Sequence, residues 1–339
     1  MTQRIVCYGE LLLRLAAPGH ERLLQSPALQ VQVGGAEANV AVALARHGHR
    51  AVLVGRVADN ALGAAATAEL RRHGVDTAGV QPAPGRMGLY FLEAGAGHRP
   101  STVLYDRADS AFARAGAQAY DWPALLEGAA WLHLSGVTPA LGAAAAGAAI
   151  AAARAARAAG VRVSFDGNYR SKLWQAWDGD AAAILRELMS EAELIFADHR
   201  DIAVVLGVQA EGASAAERYA AAADAAFAAF PRLQRLASTV RLQHSVDRQS
   251  LSALLRRREG SVLETPVCEL SAIVDRIGAG DAFAAGVLHG LLDGCDDAAS
   301  LRYGWAAACL KHSVPGDFNL VDATEIEAFV AQEGYHVRR

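Results

Sequence analysis

Short apolar runs alternate with helix-patterned stretches along most of this chain, and that alternation leaves few folds open. IVCYGE (5–10), AVLVGRV (51–57), WLHLSG (131–136), VRVSFD (161–166) and ELIFAD (193–198) look like buried strands, being apolar without a clear polar face. Between most of them lie stretches with helical spacing, such as AEANVAVALARHG (36–48), closed by Gly48. Strands of this kind need cover on both sides, so the pattern predicts an α/β fold: a parallel sheet with helices on both faces. Two segments break the rule. MGLYFLEAGAGHRPSTVLYDR (87–107) reads as two strands joined by a Gly-rich turn, and VQVGG (31–35) as a short strand ending in glycines. A hairpin hung on a doubly wound sheet is placed to act as a lid over the carboxyl ends of the strands, where such folds bind ligands.

Size and charge agree with one large domain. A chain of 339 residues with 53% hydrophobic content has enough apolar surface for a large core, as one α/β domain or one with a small appendage. The net charge of −4, with Lys172 and Lys311 as the two lysines, gives no electrostatic case for nucleic acid. Cys7, Cys268, Cys295 and Cys309 form no CxxC pair, so neither a zinc site nor a disulfide framework is indicated, and a reducing cytoplasm is expected. The start MTQRIVCYGE enters a strand without a signal peptide, and no apolar run is long enough to span a bilayer, so no membrane partner is expected. The alanine tract at 140–160 breaks into Arg and Gly and reads as an ordinary helix ended by Gly160.

Five stretches carry candidate chemistry. In DRIGAGDAF (275–283), Gly278 and Gly280 let the backbone turn sharply just where a buried helix begins, and the free N–H groups of its first turn suit an anion; a plain helix cap by Asp281 fits the same letters. In GGAEANVAVALARHG (34–48), Gly34 and Gly35 could expose backbone to a ligand and Asn39 could reach the same cavity; an ordinary turn and a surface Asn would look alike. In VSFDGNYRSKLW (163–174), Asn168, Tyr169 and Arg170 project from the carboxyl end of a strand, where arginine's planar fork pairs with a carboxylate or phosphate. Tyr105 and Arg107 share one face of a lid strand, with Tyr90 on its neighbour. In LIFADHRDIAVVLG (194–207), Asp198 and Asp201 begin a helix, as caps or as holders of waters around Mg²⁺. His133 and His312 have no partner at metal-ligand spacing, and neither a Ser/His/Asp order nor HExxH occurs.

Taken together these stretches resemble the ribokinase-like, or PfkB, carbohydrate kinases over nearly the whole chain. GGAEANVAVALARHG resembles the family's N-terminal glycine motif and DRIGAGDAFAAG its C-terminal motif. The resemblance implies a three-layer α/β/α sandwich with a mostly parallel central sheet and a small β-strand lid. It implies a single domain, 1–339, whose lid is built discontinuously from about 10–33 and 85–108. It further implies ATP as phosphoryl donor, Mg²⁺, a monovalent cation as an open option, and a homo-oligomer, as a dimer through the lid or a higher assembly. By that implication Asp281 is the catalytic base and the amides of Gly278, Ala279 and Gly280 form the anion hole. Asp198 and Asp201 stand where the family carries an N-x-x-E motif linked to Mg²⁺ and phosphate, the ion being held through water.

Within the family, LHLSGVTPAL (132–141), NYRSKLW (168–174) and the set Tyr90, Tyr105, Arg107 resemble the 2-keto-3-deoxygluconate kinases. Carried over, Gly34, Asn39, Tyr90, Tyr105, Arg107 and Arg170 hold a sugar acid whose terminal hydroxyl is phosphorylated. Two arginines converging on one cleft suit a carboxylate better than a neutral sugar, with a kinase of fructose, ribose or a nucleoside, or a catalytically inactive sugar-acid sensor, as the alternative readings. One stretch departs from the pattern. TVRLQH (239–244) stands where the family shows T-L-G-x-x-G beside the nucleotide, so Thr239 matches while Arg241 and His244 replace glycines.

Overall fold

The computed structural model describes residues 3–331. Fourteen strands are present among them: β1 (Arg4–Tyr8), β2 (Leu12–Ala16), β3 (Gln30–Gly34), β4 (Arg50–Ala58), β5 (Asp76–Ala83), β6 (Gly88–Glu93), β7 (Thr102–Asp106), β8 (Trp131–Ser135), β9 (Arg162–Asp166), β10 (Leu194–Phe196), β11 (Arg235–Gln243), β12 (Arg248–Arg257), β13 (Val262–Glu264) and β14 (Cys268–Ser271). Ten of them form one sheet in the order β13-β12-β11-β10-β9-β8-β1-β4-β5, with β14 also pairing β12. From β11 to β5 every neighbouring pair is parallel; only β12, β13 and β14 run antiparallel at one edge.

Alternate residues of the central strands enter different cores, as a sheet covered on both faces requires. Ile5 and Cys7 of β1 pack into one cluster with the helices Ala36–Arg46, Ala279–Leu292 and Asp297–Lys311. Val6 and Tyr8 of the same strand pack into the other, with Ala143–Ala158, Ala181–Glu191 and Ala215–Ala229. In Ala143–Ala158, seven alanines are buried; they combine the best helix propensity with small side chains that let the helix lie close on the sheet. No helix among the described residues is long and apolar enough to cross a membrane.

The remaining four strands make a second sheet, ordered β3-β2-β6-β7. Its strands come from two stretches of the chain, 12–34 and 88–106, and β2 and β6 pair in parallel across the break between them. The inner face carries Leu12, Ala16, Tyr90 and Leu92, packed with Tyr105 and Ile277. Ile277 belongs to the loop that precedes Asp281, so the lid rests directly on that loop.

The chain order reverses between β1 and β8, neighbours in the sheet from which strands are added in opposite directions. A crevice forms at the carboxyl ends of parallel strands at such a switch point.

Candidate active site

A cavity of about 480 Å³ opens at this switch point, roofed by the lid and floored by the loop before helix Ala279–Leu292. A second, of about 610 Å³, lies beside it toward β10 and β11. The two share Asp166, Arg170, Thr239, Arg241, Arg276 and Gly280, so they are the two ends of one cleft.

Asp281 lines the first cavity, in the first turn of its helix and next to Gly280, which both cavities share. It does not cap that helix; Gly278 is the capping residue, in the left-handed conformation at φ 81°. A Cβ at Gly278 would collide with the carbonyl oxygen of Asp317, so glycine is required twice over. Asn39 donates from Nδ2 to Asp281 Oδ2 at 2.6 Å across the cleft. Burial pushes the Asp281 carboxyl up to about 6, with Asp317 adding repulsion and Asn39, Arg170 and Lys311 opposing. An aspartate so tuned is a base near neutral pH.

Beneath this loop lies a buried charge network. Arg14 of β2 bridges Asp317 at 3.0 Å and Asp275 at 2.7 Å. The Tyr90 hydroxyl donates to the same Asp317 carboxylate at 2.8 Å. Gly34 faces this network: a side chain there would run into the Asp317 carboxylate, whereas Gly35 is the glycine of the pair that lines the cleft. Tyr90 therefore lines the cleft with its ring, its hydroxyl being committed to Asp317.

At the lid end, the two arginines differ in kind. Arg107 is buried and paired through Nε with Glu10 at 2.6 Å, and Glu10 also accepts from Ser110. Arg170 is exposed in the cleft, with the Tyr169 carbonyl as its hydrogen-bond acceptor and no carboxylate partner among the described residues. Asn168 beside it donates to Ser135 Oγ at 2.9 Å. The Tyr105 hydroxyl makes no hydrogen bond among the described residues, which leaves it to a ligand.

At the other end, Asp198 and Asp201 form a reciprocal capping box on helix His199–Leu206. Asp198 is further paired with the Arg200 guanidinium; burial works to raise its pKa, and the hydrogen bond and charge of Arg200 outweigh that and hold it below the ordinary aspartate value. Asp201 points the other way: burial, then the charge of Asp198, raises it. Asp166, at the carboxyl end of β9, is raised well above the usual range by burial and by the charges of Asp281 and Asp201. Asp166, which lines both cavities, is thus repelled by Asp281 on one side and Asp201 on the other, and a divalent cation beside it would relieve that repulsion. The TVRLQ stretch is not a loop: β11 continues through it, with Arg241 opposite Leu251 of β12. Burial, then Arg276, Arg200 and Arg170, depress the Arg241 guanidinium; four arginines share this end with Asp166, Asp198 and Asp201, and of the four only Arg200 is ion-paired among the described residues.

Several functional side chains escape a reading by motif. Glu37 is fully enclosed, accepts from Ser135 N–H at 3.1 Å and Thr138 Oγ1 at 2.6 Å, and is pushed up to about 7 by burial. Glu10, Arg14 and Asp317 likewise organise the cleft from runs whose letters carry no spacing signal, while Asp166 and Asp275 lie inside the stretches 163–174 and 275–283 without being marked there as site residues. His312 lines the cleft as well, with Nδ1 on the Ala308 carbonyl and burial lowering it to about 4.

A lidded α/β cleft in which a carboxylate and a helix N-terminus converge defines a group-transfer enzyme that handles an anionic donor. The chain belongs to the pfkB family of carbohydrate kinases, whose defining pattern spans residues 2–323. It is similar to a 2-dehydro-3-deoxygalactonokinase from Haloferax volcanii, 36% identical over 96% of both chains. It is also similar to a 2-dehydro-3-deoxygluconokinase from Bacillus subtilis, 28% identical over 98% of both. The crystal structure of a 2-dehydro-3-deoxygluconokinase from Thermotoga maritima superposes with a TM-score of 0.92 at 38% identity, covering 97% of this chain and 99% of that one. The protein is accordingly a sugar kinase, a phosphotransferase with an alcohol group as acceptor.

Proposed function

We propose that this kinase transfers the γ-phosphoryl group of ATP to the terminal C6 hydroxyl of 2-keto-3-deoxygluconate, giving the 6-phosphate and ADP. The observation that carries the reading is Arg170, a guanidinium without an acidic partner in the same cleft as Asp281. It is free for a carboxylate, and Tyr105 and Arg107 line the same cavity. Arg107, already half-satisfied by Glu10, is the fixed member of the pair and Arg170 the one that a sugar acid would neutralise.

Asp281 takes the proton of the C6 hydroxyl as its oxygen attacks the γ-phosphorus, and ADP departs with the bond to the bridging oxygen. Asn39 holds the carboxylate toward the cleft, and the amides of Gly278, Ala279 and Gly280 receive the charge on the γ-phosphoryl oxygens. Thr239 and Arg241 contact the nucleotide. Mg²⁺, when bound, neutralises phosphate charge; Asp166 and Asp201 would hold it, through water, Asp201 keeping one carboxylate oxygen outside the capping box while Asp198 is also ion-paired with Arg200. The enzyme acts in the cytoplasm.

A coupled ADP-release assay over sugar acids, sugars and nucleosides, with and without Mg²⁺, tests the proposal. It should include the C4 epimer 2-keto-3-deoxygalactonate, for which the Haloferax relative is named. Wild type should prefer a keto-deoxy acid, and Arg170→Ala should lower its kcat/KM by about 10- to 150-fold, the span for a charge-assisted hydrogen bond. Fructose or ribose turned over as efficiently as the acid would sink the assignment.

We further propose a homodimer through the lid. Register places Val31, Leu15, Phe91 and Leu104 in one row across all four lid strands, on the face turned away from the cleft. Val31 is 59% and Leu104 57% exposed, an apolar row that a second copy would cover.

A further inference from the structure

Lys311 is an oddity among the charged side chains. Its relative exposure is 0%, and it closes helix Asp297–Lys311 directly behind the anion-binding loop. Its Nζ donates to the Val314 carbonyl at 2.8 Å, its one hydrogen bond among the described residues, so two of three donors are unclaimed. It has no direct ion pair there. A Cβ at Gly278 would lie 3.4 Å from Lys311 Cε, which puts the side chain in van der Waals reach of the first residue of the anion hole.

The surroundings explain why a charge is tolerated so deep. Asp275 and Asp317 draw the ammonium electrostatically, Arg14 repels it, and Asp281 adds attraction; burial lowers its basicity overall. Two acids and two cations, Arg14 and Lys311, thus balance beneath the loop. The same groups splice two loops together: Asp275 accepts from the Gly316 N–H at 3.0 Å, and Val274 N–H donates to the His312 carbonyl at 2.9 Å. A monovalent cation seated at the place of Nζ, with the Val314 carbonyl as one ligand and Asp275 and Asp317 as nearby charges, would supply the same positive charge.

Resting on the kinase reading, we infer that Lys311 is a built-in monovalent cation: its ammonium fixes and charges the loop that carries Gly278 to Asp281, so turnover needs no such ion from solution. Lys311 is a positioning residue in this scheme, touching neither sugar nor nucleotide.

Methionine is the informative substitution, because it fills the aliphatic path of lysine and vacates only the place of Nζ. Wild-type kcat should be the same in potassium, ammonium and choline chloride at equal ionic strength. Lys311→Met should lose about tenfold or more of kcat in choline, on the scale of removing one charge-stabilising group, with the KM for the sugar little changed. Ammonium or potassium should restore part of it where choline does not, and should raise the variant's melting temperature selectively. Stimulation of wild type by potassium overturns the inference, as does a folded Lys311→Met that keeps full kcat or loses it without cation-specific recovery. If that variant does not fold, cation independence or dependence of wild type decides alone. The measurement runs on whichever sugar is turned over, so a wrong sugar acid and a wrong role for Lys311 give different results.

Discussion

Asp281 stores a conflict between stability and chemistry that a pH series would expose. Its carboxyl is raised to about 6, above the ordinary aspartate value that the unfolded chain would have. The folded state therefore holds this proton more tightly, and the stability it contributes is complete below about pH 4 and lost as pH rises through about 6. Glu37, raised to about 7, adds to the same trend over a slightly higher window. As the proposed base Asp281 would act in its ionised form, so activity should fall on the acid side of about pH 6. Asp281→Asn keeps the shape and the bond to Asn39, so kcat should drop by about 10²–10⁴ while the variant melts above wild type at pH 7.5. That gap should close at pH 5. A variant with more than about a tenth of wild-type kcat would show that Asp281 is not the base. The two glycines of the loop part company on similar grounds. Gly278→Ala meets the Asp317 carbonyl at a positive φ and should destabilise the fold, whereas at Gly280 a Cβ points into open space. Gly280→Ala should fold like wild type, by thermal melting, yet bind ATP more weakly, since the methyl enters the cleft that the phosphates would use. Asp281 and Arg170 were legible in sequence because motif spacing marks them. Asp166, Asp275 and Asp317 were not, since an acid's burial depends on what the rest of the chain folds over it.

Elements whose two faces are both buried announce themselves; those at edges do not. The five apolar runs read as strands are β1, β4, β8, β9 and β10, all in the parallel part of the sheet. β5 went unread because DTAGVQPA contains Gly79 and Pro82, residues that a sheet accommodates at its margin, and β5 is indeed the last strand on its side. β2, separated from β1 by three residues, was placed in the lid segment only through the family resemblance. β11 holds the sharpest difference. A stretch that resembled a displaced glycine loop continues as strand, because residues 239–243 pair with 249–253 of β12 rather than bending over a nucleotide. Backbone amides that a glycine loop would turn toward phosphate are spent on the ladder there, and Arg241, with Arg276 and Arg170, brings side-chain charge to the cleft instead. Arg241→Ala should then raise the KM for ATP by about tenfold while leaving that for the sugar unchanged. Steady-state kinetics with each substrate varied in turn checks this, and an unchanged ATP KM would mean that the nucleotide lies clear of β11.

At the scale of the molecule, the lid has to serve two faces with four strands. Its inner side closes on the cleft through Tyr90 and Tyr105, while the outer side carries the row from Val31 to Leu104. A four-stranded sheet hung on a larger body is a thin support, and an apolar row left in water would add to its cost rather than offset it. Pairing two lids face to face removes that row from water and gives each sheet a second layer, which also steadies the wall that bears Arg107. Leu104→Lys tests the arrangement without touching the cleft, since Leu104 is 57% exposed and points away from it. By sedimentation equilibrium, wild type should have the mass of a dimer and Leu104→Lys that of a single chain of the same secondary structure. Loss of the partner should then appear in kinetics as a raised KM for the sugar with a smaller change in kcat, because the lid positions the substrate but does not carry the base. A wild-type protein that sediments as a monomer at micromolar concentration, or a Leu104→Lys variant that remains dimeric, would rule out the lid as the interface.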